Sequence, residues 1–155
     1  MKRVYDYETA IGKIGIAEED DRITHLFFES EETPEGYERK ETPVLKEACK
    51  QLQEYFSGKR KGFTLPLAPS GTEFMQKVWN ALCVIPYGET RSYKDIAAAI
   101  GSSKAYRAVG MANNRNPIAI MIPCHRVIGA DGKLVGYAAG LDIKKFLLEL
   151  EKKNK

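Results

Sequence analysis

The chain has 155 residues, 43% hydrophobic and 29% charged, which is ordinary globular composition for one domain or two small ones. No apolar run is long enough to cross a membrane, and the basic start MKRVYDYETA is followed by no apolar signal core. The net charge of +3 hides an asymmetry: residues 1–70 carry 11 Lys+Arg against 14 Asp+Glu, residues 71–155 carry 13 against 7. A basic second half suits a polyanionic partner, although many basic faces are only solvated surface.

Three β-rich stretches open the chain: Val4–Tyr7, Gly12–Ala17 and Ile23–Phe28. Glu19-Asp20-Asp21 reads as a hairpin turn between the last two. Glu29–Thr42 reads as a loop. Val44, Leu45, Ala48, Cys49, Leu52, Tyr55 and Phe56 recur at helical spacing, with Cys49 on the buried stripe. Ser57–Gly71 has no period and reads as a linker, with the domain boundary at 66/67. Ser70 and Glu73 stand three apart, as in a capping box. The helix they start has Phe74, Val78 and Leu82 on one side and closes on Cys83, read as a small apolar residue near a core.

Ile85–Thr90 reads as a turn, and Ser92 with Asp95 as a second capping box. The short helix from Tyr93 to Ile100 ends at Gly101. Ser102 or Ser103 caps another, running to about Ala112. Two short helices about a Gly-containing turn match helix-turn-helix spacing, which also occurs in proteins that bind no DNA. The second helix carries Lys104 and Arg107, with Arg115 just beyond. After the turn formers Asn113–Pro117, the apolar run Ile118–Ile122 reads as a buried strand leading into Pro123-Cys124-His125-Arg126-Val127. Gly136–Gly140 is a tight loop. A last helix has Ile143, Phe146, Leu147 and Leu150 inward.

A cysteine beside a histidine after a buried apolar run is a candidate nucleophile, because thiolate is the reactive form and a nearby His or cation raises its population. A buried structural cysteine beside a backbone-satisfied histidine fits the same residues. Three cysteines (Cys49, Cys83 and Cys124) without paired spacing are expected as free thiols in a reducing, cytoplasmic compartment. His25, Cys49 and Cys83 offer no convincing metal-ligand set. No P-loop or dinucleotide fingerprint is present, so no cofactor is expected.

Ile122-Pro-Cys-His-Arg-Val127 resembles the active-site signature of the O6-alkylguanine-DNA alkyltransferases. Ile85-Pro-Tyr-Gly-Glu-Thr-Arg-Ser-Tyr93, Arg107-Ala-Val-Gly110, Asn116-Pro117, Gly136-Tyr137, and Leu147-Leu148 with Glu151 fall in the same order and spacing. The resemblance is close over about residues 72–151 and compatible over 1–65. It implies an α/β (α+β) fold. A small N-terminal domain (1–66), with a ribonuclease-H-like three-stranded sheet plus helix, precedes a mostly helical C-terminal domain (67–155) with a helix-turn-helix.

It implies stoichiometric transfer of a methyl or other alkyl group from O6-alkylguanine in double-stranded DNA to Cys124 by a monomer, with O4-methylthymine as a further substrate and no membrane. His125 is the implied base, acting through a water, with Glu151 orienting it. Asn116 holds the turn, and Tyr93 hydrogen-bonds the departing guanine, which otherwise leaves as an anion. The target base must be flipped out of the duplex, through the minor groove. Arg107 takes its place in the stack, and Ser92, Lys104, Ala108, Arg115 and Arg126 are the further DNA contacts. Tyr137, Gly136, Ala138 and Val127 wall the base pocket. Many relatives have Tyr-x-Gly-Gly where this chain has Tyr137-Ala138-Ala139-Gly140, which puts tolerance of bulky alkyl groups in doubt. The rivals are a non-transferring, alkyltransferase-like DNA-binding module, against which Cys124 itself argues, and a Cys-dependent hydrolase.

Overall fold

The computed structural model describes all residues, Met1–Lys155, and divides into two units. The first comprises Met1–Ser70 with Pro117–Met121, the second Gly71–Asn116 with Ile122–Lys155. A boundary at 66/67 leaves Pro117–Met121 in the second domain; the structure instead assigns that segment to the first unit. There Leu26 N–H donates to the Pro117 carbonyl at 2.9 Å, and Ile118 forms a parallel bridge with Leu26.

In the first unit, β1 (Lys2–Thr9), β2 (Gly12–Glu19), β3 (Arg22–Phe28) and β4 (Glu38–Arg39) form a sheet of order β3-β2-β1-β4. The β1–β2 and β2–β3 pairs are antiparallel. The β2–β3 hairpin turns on Asp20 (φ 53°) and Asp21 (φ 67°), the left-handed pair that matches the twist of the strands and that Asp tolerates better than most residues. The fourth strand is a correction: Glu29–Thr42 is not all loop, since Glu38–Arg39 adds in parallel to β1. Two exposed charged residues give no alternation to read. Gly15 is required by close approach, because a Cβ there would sit 2.2 Å from the Phe27 ring across the β2–β3 pair.

Helix α1 (Pro43–Phe56) buries Leu45, Ala48, Cys49, Leu52 and Tyr55, the stripe that the periodicity predicts. Gln51 is buried with them and exchanges bonds with Thr64: Nε2 donates to Oγ1 at 2.9 Å, and Thr64 N–H to Oε1 at 3.0 Å. The aperiodic Ser57–Gly71 stretch is thereby tied down, and Leu67 bridges Ile23. Ile118–Ile122 is buried throughout but is not a strand. Ile120 has φ 71°, and Met121 N–H reaches back to the Ala119 carbonyl at 2.8 Å. This is a tight γ-turn that a β-branched residue rarely adopts.

The second unit contains α2 (Glu73–Cys83), α3 (Tyr93–Ala99), α4 (Tyr106–Asn114), α5 (Leu141–Asn154), and a two-stranded sheet in which β5 (Arg91–Ser92) pairs in parallel with β6 (Val127–Ile128). Helix α2 is capped by Thr72, whose hydroxyl accepts from Met75 N–H at 3.1 Å, rather than by Ser70. It buries Val78, Trp79 and Leu82, and the Trp79 indole donates to the Ala112 carbonyl at 2.9 Å. Cys83 is exposed, not packed near a core. Helix α3 begins with the full Ser92/Asp95 capping box. Helix α4 begins at Tyr106 with no side-chain cap, so neither Ser102 nor Ser103 serves it. No helix is long and apolar enough to cross a membrane.

Candidate active site

Cys124 opens a one-turn 3-10 helix, Cys124–Arg126. Pro123 fixes the approach: Cys124 N–H closes on the Ile122 carbonyl at 2.8 Å around Pro123 at φ −79°, ψ 63°, an inverse γ-turn that the pyrrolidine ring favours. Two asparagines brace the turn. Asn116 Nδ2 donates to the Ile122 carbonyl at 2.8 Å, and Asn113 Nδ2 to the Cys124 carbonyl at 3.3 Å. The Ile122 and Cys124 carbonyls, drawn away from regular structure, thereby each have a side-chain donor, as burial demands.

The cysteine is 5% exposed and His125 fully buried. His125 Nε2 lies 2.6 Å from Glu151 Oε2. Glu151, also fully buried, accepts from Arg126 Nε at 2.8 Å, Arg126 Nη2 at 3.0 Å and Gly88 N–H at 3.2 Å. The third guanidinium nitrogen, Nη1, reaches the Ile85 carbonyl at 2.8 Å, and the Tyr87 ring lies 5.7 Å from the guanidinium. Glu151 is thus the hub of a buried fork with Arg126, the arrangement in which burying a charge is tolerable. Burial pushes the His125 pKa down; the Glu151 contact opposes this, while Arg126 and Lys144 add to it. With a neutral ring whose Nε2–H is spent on the carboxylate, Nδ1 is the basic nitrogen.

Tyr93 is half-buried at the start of α3, and its phenol donates to the Val135 carbonyl at 3.1 Å. Burial raises its pKa, and the electrostatic influence of Cys124 raises it further. Gly136 (φ 57°) faces Tyr93: a Cβ at Gly136 would lie 3.7 Å from the phenol oxygen and 3.3 Å from Asn114 Oδ1. Ala138 is exposed and Tyr137 half-buried in the same loop.

Arg107, Lys104, Ala108 and Arg115 are all exposed, on or beside α4. Two residues are not where the resemblance implies. Arg126 is 7% exposed and wholly engaged with Glu151, Ile85 and Tyr87, so it is a structural cation and not a DNA contact. Val127 is fully buried, with its carbonyl bound by Lys144 Nζ at 2.6 Å, and presents no side-chain surface to a ligand. Ser92 spends its hydroxyl oxygen on the Asp95 N–H at 3.0 Å.

Sequence reasoning missed Lys144 and Asn113. Both carry polar groups on the buried face of a helix, and apolar periodicity assigns such residues to solvent. The buried residues of α5 are Lys144, Leu147 and Glu151, whereas Phe146, expected inward, is 39% exposed. A cleft of about 730 Å³ lies in the first unit and is lined by none of these candidates.

Two family models match the chain: the DNA-binding domain of 6-O-methylguanine DNA methyltransferase over residues 73–153, and the ribonuclease-like domain of the same protein over residues 3–69. The chain belongs to the 6-O-methylguanine DNA methyltransferase family. It is 57% identical over 155 residues to the methylated-DNA–protein-cysteine methyltransferase of Methanosarcina barkeri, covering 95% of each chain. It is 59% identical over 152 residues to the constitutive methylated-DNA–protein-cysteine methyltransferase of Bacillus subtilis, covering 94% of this chain and 92% of that one. The crystal structure of Mycobacterium tuberculosis OGT in complex with DNA is similar at a TM-score of 0.93 and 44% identity, covering 98% of this chain and 94% of that one. The α/β fold with a small N-terminal sheet and a helical C-terminal part is therefore that of the methyltransferase family, and the Cys124 site lies within the family's DNA-binding domain.

Proposed function

We propose that this protein repairs DNA by moving a methyl or other alkyl group from the O6 atom of guanine in duplex DNA onto Cys124, once per molecule. The observation that carries this is the buried Cys124-His125-Glu151 arrangement, with a 2.6 Å contact between imidazole and carboxylate, in a chain 57–59% identical to methylated-DNA–protein-cysteine methyltransferases. In the step itself the thiolate sulfur forms a bond to the alkyl carbon as the carbon–O6 bond breaks. The electron pair leaves on the purine, which takes up a proton. His125 Nδ1, acting through a water, removes the thiol proton; Glu151 fixes the ring and its tautomer. Tyr93 supplies a hydrogen bond to the departing base. The product thioether has no route back, so the protein is spent.

Duplex DNA is the partner, supported by the basic second half, the exposed cations Lys104, Arg107 and Arg115, and the DNA complex of the M. tuberculosis relative. We assign Arg107 to the gap left by the flipped nucleotide, and the loop bearing Gly136, Tyr137 and Ala138 to the pocket wall. O4-methylthymine is a second substrate on the same chemistry. Work on the chromosome puts the monomeric protein in the cytoplasm, where three free cysteines stay reduced. The test is a titration of duplex containing O6-methylguanine: one guanine restored per protein, then no turnover. Continued turnover would refute the stoichiometric mechanism, and no restoration would favour a non-transferring binding module.

A further inference from the structure

Lys144 takes no part in the steps above, yet its ammonium is fully buried, a placement that lysine almost never adopts without compensation. Its three N–H groups are matched by three carbonyls: Val127 at 2.6 Å, Val135 at 2.9 Å and Gly136 at a longer 3.5 Å. The Val135 carbonyl is also the acceptor of the Tyr93 phenol at 3.1 Å. A carbonyl oxygen has two lone pairs, so both donors are accommodated at once.

This shared oxygen has a consequence for Tyr93. In the structure the phenol hydrogen points to Val135. To serve the departing guanine, it must leave that carbonyl. If Tyr93 were the carbonyl's sole partner, its departure would cost this partly exposed oxygen a hydrogen bond, which disfavours the rearrangement by a factor of roughly two to ten. With the ammonium in place, the carbonyl stays satisfied and the phenol is released at little cost.

We propose that Lys144 is a positioning residue for Tyr93, holding the Val135 carbonyl so that the phenol is free to turn to the base. This rests on the alkyl-transfer function and on the donor role of Tyr93. The titratable groups around the ammonium are Cys124, whose charge favours its protonated form, His125, on which it acts electrostatically, and Tyr93 through Val135. Arg126 and Glu151 are engaged with each other. Burial brings the Lys144 pKa down to about 8, so the charge assistance of its bonds is lost within an accessible pH range.

The test is a double-mutant cycle on single-turnover rates with O6-methylguanine duplex, read by intact mass, using the wild-type chain, Lys144→Met, Tyr93→Phe and the double variant. Lys144→Met is expected to slow the wild-type chain by roughly three- to tenfold and the Tyr93→Phe chain by less than about twofold. Should the methionine variant not fold, pH profiles of the other two chains decide: the wild-type rate turns down near the Lys144 pKa, and Tyr93→Phe removes that turn. Multiplicative losses, or the same alkaline limb with and without the phenol, would overturn the proposal. A wild-type chain that transfers nothing to Cys124 would instead overturn the alkyl-transfer function on which it rests.

Discussion

Glu151 is the residue whose replacement separates the architecture of this site from its chemistry. Its two oxygens receive His125 Nε2, two nitrogens of Arg126 and the Gly88 amide. Glu151→Ala removes the only carboxylate facing a nearly buried guanidinium. An uncompensated buried charge of this kind costs about 3–5 kcal/mol. At roughly 2–4 °C per kcal/mol for a chain of this size, Tm falls by about 6–20 °C. Glu151→Gln keeps the volume and isolates the chemistry. If the amide nitrogen faces His125 Nε2, it donates there and shifts the ring proton to Nδ1, where it blocks proton uptake from the thiol. If the oxygen faces His125, the amide N–H₂ meets the donors of Arg126. The first arrangement costs rate and the second costs stability. Loss of the orienting carboxylate in comparable triads lowers rates by up to about 10⁴, so a loss of at least roughly 100-fold is expected for Gln. The assay is single-turnover methyl transfer followed by intact mass at a temperature well below each variant's Tm, with Tm taken by scanning calorimetry. A glutamine variant with wild-type rate and wild-type Tm would refute the role of the carboxylate in both senses.

Four further outcomes follow from the geometry. Lys104→Ala and Arg115→Ala are each expected to reduce the slope of log K against log salt for duplex binding by about one; Arg126→Met leaves the slope unchanged and lowers Tm instead, as salt titrations and calorimetry will show. Gly136→Ala places a Cβ 3.3 Å from Asn114 Oδ1 on a backbone at φ 57°, and is expected to slow transfer and destabilise the fold by about 1–2 kcal/mol; an unchanged rate would remove this loop from the pocket. His125 is held below its ordinary 6.5 by burial, aided by Arg126 and Lys144. It therefore stays a neutral base as pH falls through 6.5, and an acid limb at or above 6.5 would contradict this. The unfolded chain takes up that proton first, so His125 also draws stability away as pH drops below 6.5. Asn116→Ala removes one of the two donors to the Ile122 carbonyl and leaves the Cys124 N–H in place, a loss of about 0.5–1.5 kcal/mol, checked by urea denaturation.

Much of this molecule is written locally. The Ser92/Asp95 capping box, the Asp20-Asp21 turn and the stripe of α1 each rest on neighbouring residues and stand in the structure as the sequence suggests. Elements that depend on distant partners are less legible. Ile118–Ile122 has the composition of a strand, but its backbone is taken up by a γ-turn and a single bridge to β3. Glu38–Arg39 is a strand only because β1 offers an edge. Helix α5 is the clearest case. Patterning turns Phe146 inward and Lys144 and Glu151 outward, and the structure does the reverse. The buried charges are repaid by partners 17 and 25 positions earlier in the chain, Val127 and Arg126, which hydrophobic periodicity cannot see. Arg126 misleads for the same reason: a cation beside the nucleophile suggests a phosphate contact until its carboxylate partner is located.

The central claim is that one sulfur accepts the alkyl group. Incubation with duplex DNA bearing an isotopically labelled O6-methyl group, followed by digestion and peptide mass mapping, reads this directly. A single labelled methyl on the peptide containing Cys124, absent in Cys124→Ser, is the expected result. Label on Cys49 or Cys83, or repaired DNA with unlabelled protein, would contradict it.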